Sequence, residues 1–81
     1  MLKVLFFAAL RDQLNTAELN WPASAATVAE LLQQLQQQGE PWTSALARPD
    51  LLCARNQAFC SPHDAISSGD EIAFFPPVTG G

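Results

Sequence analysis

Residues 71–81 read EIAFFPPVTGG, and this stretch predicts the last strand of the fold and the segment that follows it. Branched and aromatic side chains over Glu71–Phe75 indicate a strand. Pro76 cannot donate to a sheet ladder, so the strand should end before it, and Phe75 should be extended because a proline follows it. The sequence therefore predicts a strand that ends abruptly and is followed by residues 76–81, which reach roughly 20 Å when stretched out.

Two glycines occupy the last positions of the sequence. Gly80 and Gly81 have no Cβ and can enter a channel too narrow for other residues. We expect the α-carboxylate of Gly81 to be the reactive group, since it is the only functional group at the end of this segment. A carboxylate is a poor electrophile, so it must be activated, usually as a mixed anhydride, before sulfur, nitrogen or oxygen can attack it. A Gly-Gly ending alone is a weak signal, whereas an aromatic strand, a proline pair and then Gly-Gly is a specific one.

The rest of the chain predicts an α+β fold with one main helix. Branched and aromatic residues predict further strands at Leu2–Phe7, Thr16–Trp21, Leu51–Arg55 and Ala58–Cys60. Thr27–Gln38 is the clearest helix, because Thr27 and Glu30 form a capping-box pattern and Gly39 supplies a stop. Shorter helical segments are predicted at Ala8–Leu14 and Trp42–Ala47. This order favours a mixed sheet of four to five strands, with the first and last strands parallel at its centre and the main helix on one face.

Alternation along the predicted strands assigns their side chains to two faces. The core between sheet and helix is expected to contain Val4, Phe6, Leu31, Leu35, Ile72 and Phe74. The other face carries Leu5, Phe7, Ala73 and Phe75, with Phe59 as a neighbour. Because one helix covers one face, we expect this second apolar face to be a partner interface, with Phe7, Phe59 and Phe75 as its contact residues. The alternative, in which these residues are buried inside the domain, stays open.

Composition narrows the classes of partner. The chain has 81 residues, 48% of them hydrophobic, which suits one globular domain. Its net charge is −4 with only four basic residues, so nucleic acid and anionic membrane are unfavourable partners and a basic protein surface is favoured. No apolar run approaches the roughly 20 residues of a membrane span. A short apolar stretch near the start lacks a convincing cleavage region, so we expect a cytoplasmic protein.

The interior offers few candidate reactive groups. His63 is the only histidine and has the setting of a surface loop residue, and no metal site is expected. Cys53 and Cys60 should face each other across a turn at residues 56–57, within reach of a disulfide. A cytosolic compartment predicts that both stay free thiols. The chemistry is therefore expected at Gly81 and in a partner's active site.

Three segments resemble one known family. The ending at residues 74–81, the turn at residues 69–71 and the start at residues 3–8 look like those of the MoaD group of the MoaD/ThiS sulfur carriers, the small subunits of molybdopterin synthase. Between residues 10 and 68 the likeness is one of pattern only. The resemblance implies a ubiquitin-like β-grasp domain over residues 1–75 and a flexible tail over residues 76–81.

The resemblance also implies a function. Gly81 would be adenylated by an E1-like, MoeB-type enzyme that uses ATP, and a sulfur donor would convert it to a thiocarboxylate (1-thioglycine). The sulfur would then pass to cyclic pyranopterin monophosphate on a MoaE-type large subunit, to form the molybdopterin dithiolene of the molybdenum cofactor. The implied complex has two small and two large subunits, and the segment inserted into the large subunit is Pro76, Pro77, Val78, Thr79 and Gly80. The chain would be the sulfur-donor subunit of a sulfurtransferase, not catalytic on its own and with no permanently bound cofactor.

Three other interpretations remain open. The chain could be a sulfur carrier for thiamine thiazole synthesis, although the Phe-Phe-Pro-Pro run favours the molybdopterin branch. It could be a ubiquitin-like protein modifier, joined through Gly81 to target lysines. It could also be an interaction module of the same fold that undergoes no reaction.

Overall fold

The computed structural model describes residues 1–77, and the predicted tip, Val78, Thr79, Gly80 and Gly81, lies outside the described residues. The described part contains five strands and three helices. In chain order they are β1 (Leu2–Phe6), α1 (Ala8–Leu14), β2 (Glu18–Trp21), α2 (Val28–Gln36), α3 (Trp42–Ala45), β3 (Leu52–Arg55), β4 (Ala58–Phe59) and β5 (Glu71–Phe75).

The five strands form one mixed sheet with the order β2-β1-β5-β3-β4. β1 and β5 pair in parallel at its centre, and the other neighbours are antiparallel. Parallel neighbours need a long connection, which the intervening strands and helices supply. The predicted β-grasp arrangement with parallel central first and last strands is confirmed.

The predicted core is confirmed. Each of its members is at most 1% exposed: Val4, Phe6, Leu31, Leu35, Ile72 and Phe74. Phe6 stacks on Phe74 with ring centroids 6.2 Å apart, and the Trp42 ring meets Phe6 edge-on at 5.5 Å. The two central strands are thereby joined to the helical layer through aromatic contacts.

The helical cover is wider than the single main helix that the sequence predicts. Leu10 and Leu14 of α1, and Leu46 just after α3, are also buried in the core. The reason is size: α2 has nine residues and spans about 13 Å, whereas five strands at about 4.8 Å spacing extend over roughly 19 Å. One short helix cannot cover that width, so α1 and α3 complete the layer.

Helix α2 begins where the capping pattern places it. The Glu30 backbone N–H donates to Thr27 Oγ1 at 3.3 Å, and the Glu30 carboxylate accepts from the Ala26 N–H at 2.8 Å. The helix ends at Gln36, two residues before the predicted Gln38, because the chain tightens into a turn there. Gly39 then adopts φ +91°, a left-handed conformation that glycine takes without strain, and its N–H donates to the Gln36 carbonyl at 3.3 Å.

Other boundaries differ from the prediction by one or two residues. β2 begins at Glu18 instead of Thr16, because Asn15 ends α1 in a left-handed conformation (φ 50°) and the Thr16 hydroxyl donates to the Leu14 carbonyl at 3.0 Å. The Asn15 conformation and the Thr16 hydrogen bond both belong to the turn that closes α1, so β2 begins after them. The remaining elements are trimmed at one end: β1 ends at Phe6, β3 begins at Leu52, β4 ends at Phe59 and α3 ends at Ala45.

A polar link ties the β3–β4 turn to the start of β5. Asn56 and Gln57 both have positive φ, 51° and 71°, as in the tight turns that suit a hairpin. The Asn56 side chain accepts from the Glu71 N–H at 3.0 Å and donates to Asp70 Oδ1 at 3.2 Å, while Asp70 Oδ2 accepts from the Ser67 N–H at 2.9 Å. The Ser67 N–H and then the Asn56 amide stabilise the carboxylate and hold the pKa of Asp70 below its ordinary value.

This lowered pKa predicts a specific acid sensitivity. A carboxylate with a lowered pKa in the folded state contributes stability above its unfolded pKa, and that contribution disappears as pH falls through the folded value. Asp70→Asn should therefore destabilise the protein at neutral pH and lose less stability than wild type on acidification. Urea unfolding from about pH 6 to about pH 2 measures this, and parallel stability curves for the two proteins would contradict it.

The core assignment predicts a large cost for Leu35→Ala. Leu35 is 0% exposed, so its truncation should lower the free energy of unfolding by about 2–5 kcal/mol. Leu32→Ala is the matched control on the same helix, since Leu32 is only partly buried and should cost less. Equal urea midpoints for wild type and Leu35→Ala would show that the packing of α2 is wrongly described.

Candidate functional site

The sheet face turned away from the helices carries an apolar groove. Its volume is about 410 Å³, and it is lined by Leu5, Phe7, Ala8, Ala54, Gln57, Glu71, Ala73, Phe75 and Pro76. We call it the far-face groove. Within residues 1–77 the buried side chains of all three helices belong to the core on the opposite face, and of the helix residues only Ala8, at the start of α1, lines the groove. An apolar surface left open in this way is typical of a binding site.

Strand register explains why these residues meet. Leu5 of β1 lies beside Ala73 of β5, and Ala73 lies beside Ala54 of β3. Since successive side chains alternate between faces, all three point away from the core formed by Phe6 and Phe74. The small Ala54 and Ala73 form the floor of the groove, and larger side chains form its walls.

The three predicted interface residues lie on or beside this groove. Phe7 is 47% exposed and Phe59 is 80% exposed, while Phe75 is half-buried. The Phe59 and Phe75 rings meet with centroids 5.9 Å apart. The alternative that these residues are all buried inside the domain is wrong for Phe7 and Phe59, whereas Ala73, on the same face, is buried by its neighbouring strands.

The groove lies where the described chain leaves the sheet. The Phe7 N–H donates to the Phe74 carbonyl at 3.3 Å, which extends the β1–β5 pairing to the end of β5. Ala8 then adopts φ 55° and turns the chain into α1, so that Phe7 stays outside the core. Pro76 lines the groove, and Pro77 follows it as an exposed residue. The predicted working residue Gly81, and the predicted insertion residues Val78, Thr79 and Gly80, lie outside the described residues.

Two charged residues of this face, Lys3 and Glu71, lie near the starts of β1 and β5, and a third, Glu18, lies opposite Leu5. Lys3 is the register partner of both Glu71 and Asn20, and its ammonium lies 3.7 Å from the Glu18 carboxylate. Glu71 forms one end of the groove, whereas Phe7 and Phe75 stand at the other. A partner bound here would meet aromatic rings at one end of the groove and the Glu71 carboxylate at the other.

Other candidate groups lie away from the groove. His63 is exposed in a loop, where its backbone N–H donates to the Ser61 hydroxyl at 3.2 Å. Among residues 1–77, no three His, Cys, Asp or Glu side chains come together in a way that could hold a metal ion. In the same part of the chain, no helix has the length and apolar character needed to cross a membrane.

Cys53 and Cys60 face each other as the sequence predicts. Both are free, Cys53 is buried and Cys60 is partly exposed. The two Sγ atoms lie 3.3 Å apart. Burial, followed by the side-chain hydrogen bond between Cys53 and Cys60, raises the pKa of the Cys53 thiol to about 12.

Sequence reasoning found the groove's aromatic wall but missed one residue of its floor and one further lining residue. Ala54 and Gln57 were not predicted there, because their place depends on which strand β3 pairs with. The signal that could have found Ala54 is its alternation with Cys53 once β3 is set beside β5 in register. Gln57 follows from the same pairing, because it lies in the turn after β3.

Comparison with known proteins adds information about the whole chain. The model of the ThiS family matches residues 4–81. Two curated relatives, both named molybdopterin synthase sulfur carrier subunit, are similar over 100% of this chain and 100% of their own length. The one from Haemophilus influenzae is 43% identical and the one from Escherichia coli is 44% identical, each over 81 residues.

A solved structure supports the fold. It is described as a protein–protein complex of subunits 1 and 2 of molybdopterin-converting factor from Helicobacter pylori. The similar chain has a TM-score of 0.70 and 23% sequence identity, and the match covers 99% of this chain and 97% of that chain. At that identity the likeness shows a shared fold.

Proposed function

The chain belongs to the ThiS family, and on that premise we propose that it is the sulfur carrier subunit of molybdopterin synthase. The observation that carries the proposal is the full-length match, at 43% and 44% identity, to two relatives with that name. The family match extends through residue 81, and so includes the Gly-Gly ending. We further propose that the protein works in the cytoplasm, where the free state of Cys53 and Cys60 would be maintained.

In the proposed reaction Gly81 is the group that changes. An ATP-dependent, E1-like enzyme of MoeB type joins the Gly81 carboxylate to AMP and releases pyrophosphate. A sulfur at the oxidation level of sulfide, released by a donor, then attacks the acyl carbon and displaces AMP, which leaves a thiocarboxylate. This activation is needed because the carboxylate itself is a poor electrophile, whereas an acyl adenylate has a good leaving group.

Each thiocarboxylate then transfers its one sulfur to cyclic pyranopterin monophosphate, and two such transfers build the dithiolene of molybdopterin. We propose that Pro76, Pro77, Val78, Thr79 and Gly80 guide Gly81 into the active site of a large subunit. The chain thus acts as the sulfur-donor subunit of a sulfurtransferase, and the large subunit supplies the catalytic site. ATP is consumed by the activating enzyme and is not a resident cofactor of this chain.

The far-face groove is the proposed docking site for the large subunit and for the activating enzyme. The Helicobacter pylori structure supports this kind of partner, because it is described as a complex of subunits 1 and 2. Geometry supports the location, since Pro76 lines the groove and six residues beginning there reach roughly 20 Å. A partner docked on Phe7, Phe59 and Phe75 would then have its active site within reach of Gly81. We propose a complex of two small and two large subunits.

The docking proposal predicts the effect of Phe59→Ala. Phe59 is 80% exposed, so its loss should leave the fold intact and weaken binding to the large subunit by at least about tenfold, as expected for an aromatic anchor at an interface. Gln33→Ala, on the exposed side of α2, is the matched control and should bind as wild type does. Calorimetry with the purified large subunit measures both affinities. Unchanged affinity for Phe59→Ala and for Phe75→Ala would remove the docking role from this face.

The proposed role of Gly81 predicts the effect of removing it. Deletion moves the terminal carbonyl back by about 3.5 Å, and reacting atoms must approach within about 3–3.5 Å, so adenylation should be lost. Adding one residue after Gly81 should also abolish adenylation. ATP–pyrophosphate exchange with the activating enzyme measures this step, and binding of the large subunit should be largely retained as a control. Wild-type exchange by the deletion variant would refute the proposal that Gly81 is the acyl carrier.

A further inference from the structure

The two cysteines form a thiol pair that the proposed sulfur transfer does not use. Neither lines the far-face groove. The Cys60 N–H donates to the Cys53 carbonyl at 3.2 Å, which extends the β3–β4 pairing by one position beyond β4. The Cys53 thiol donates to the Cys60 carbonyl at 3.2 Å, and the Cys60 thiol donates to Cys53 Sγ at 3.3 Å. The two sulfur atoms are thus in contact without a covalent bond.

We propose that Cys53 and Cys60 form a reversible oxidation site, where a low-molecular-weight disulfide converts the two thiols into an intramolecular disulfide across the β3–β4 hairpin. A disulfide requires Cα atoms about 4.4–6.8 Å apart, and residues directly opposite on antiparallel strands meet that requirement. The sulfur atoms need to close from 3.3 Å to about 2.0 Å. That movement is small, and only one of the two strands has to make it.

The hairpin provides the freedom for this movement on one side. β4 is two residues long and lies at the edge of the sheet, whereas β3 is held between β4 and β5. Cys60 comes directly after β4, where the chain leaves the sheet. Cys53 is fixed by its pairing with Phe74 of β5. Cys60 can therefore approach Cys53 while the core stays in place.

Exposure assigns the order of the two chemical steps. Cys60 is partly exposed and Cys53 is only 7% exposed, so a reagent in solution reaches Cys60 first. The Cys60 thiolate attacks one sulfur of the reagent, the reagent's S–S bond breaks, and one reagent thiolate leaves and takes up a proton. Cys53 then loses its proton and attacks Cys60 Sγ, which expels the second reagent thiolate. One reagent disulfide is reduced to two thiols while two protein thiols become one disulfide.

The surroundings of Cys53 slow the oxidation of the reduced pair. Thiol–disulfide exchange requires a thiolate, and the raised pKa of Cys53 keeps it protonated near neutral pH. The second step is therefore slower than for an ordinary thiol, although the sulfur atoms are already in contact. Freshly prepared protein should contain two free thiols and form the disulfide only on exposure to an oxidant.

The test uses the full-length reduced protein and glutathione disulfide as the probe. Intact mass and thiol counts are followed over time after acid quenching. Wild type should lose both thiols and two hydrogen atoms as a monomer without retaining glutathione, and dithiothreitol should reverse the change. Cys53→Ala should stop at a mixed disulfide on Cys60, because it has no thiol to resolve that adduct.

Cys60→Ser is the second variant, and it removes only a partly exposed thiol. Its buried Cys53 should react at least about tenfold more slowly than Cys60 does in Cys53→Ala. A stable glutathione adduct on wild type, a disulfide-linked dimer, or faster reaction of Cys53 than of Cys60 would overturn the proposal. These outcomes do not depend on Gly81 or on the docking surface, so failure here leaves the proposed carrier function unaffected.

Discussion

The parallel pairing of β1 with β5 is the constraint on which the rest of this structure depends. Its register sets Val4 beside Ile72 and Phe6 beside Phe74, and these four side chains face the helices. The intervening pair, Leu5 and Ala73, faces the other way into the groove. A shift of one residue in either strand would exchange the two faces. The same pairing brings Phe7, near the start of the chain, to the point where Pro76 leaves the sheet.

Sequence patterns predicted the elements whose signals are local. β1 and β5 are rich in branched and aromatic residues, and α2 has both an apolar stripe and a capping threonine. The three-residue spacing between Thr27 and Glu30 was enough to locate the start of α2. The hydrogen bond from the Glu30 N–H to Thr27 Oγ1 confirms that start. Its end was less certain, because glutamines continue past Gln36 without a change in helix propensity.

The features that the sequence could not predict depend on tertiary contacts. α1 has only seven residues, too few for a helical period to show that Leu10 and Leu14 belong to the core. The floor of the groove requires knowing that Ala54 lies beside Ala73, which follows from the pairing of β3 with β5. The predicted tail residues beyond Pro77 lie outside the described residues, so their roles rest on the chemistry of the proposal.

A sulfur carrier needs a surface that partners recognise and a reactive group that they can reach, and this fold separates the two. The far-face groove presents apolar rings on a sheet whose opposite face is fully packed, so docking requires no rearrangement of the core. The proposed reactive group, Gly81, follows Pro76 by five residues in the sequence. Under the proposed function, such a division would let an activating enzyme and a large subunit bind the same face in turn.

The most direct test of this account is the mass of the intact protein after incubation with its activating enzyme, ATP and a sulfur donor. The account predicts a species in which one oxygen atom is replaced by one sulfur atom, with fragmentation locating the change at Gly81. Because the sulfur is held as a thiocarboxylate, the Cys53 and Cys60 thiols should remain free in that species. Sulfur found on either cysteine with Gly81 unchanged, or Gly81 joined to a lysine of another protein as the main product, would contradict it.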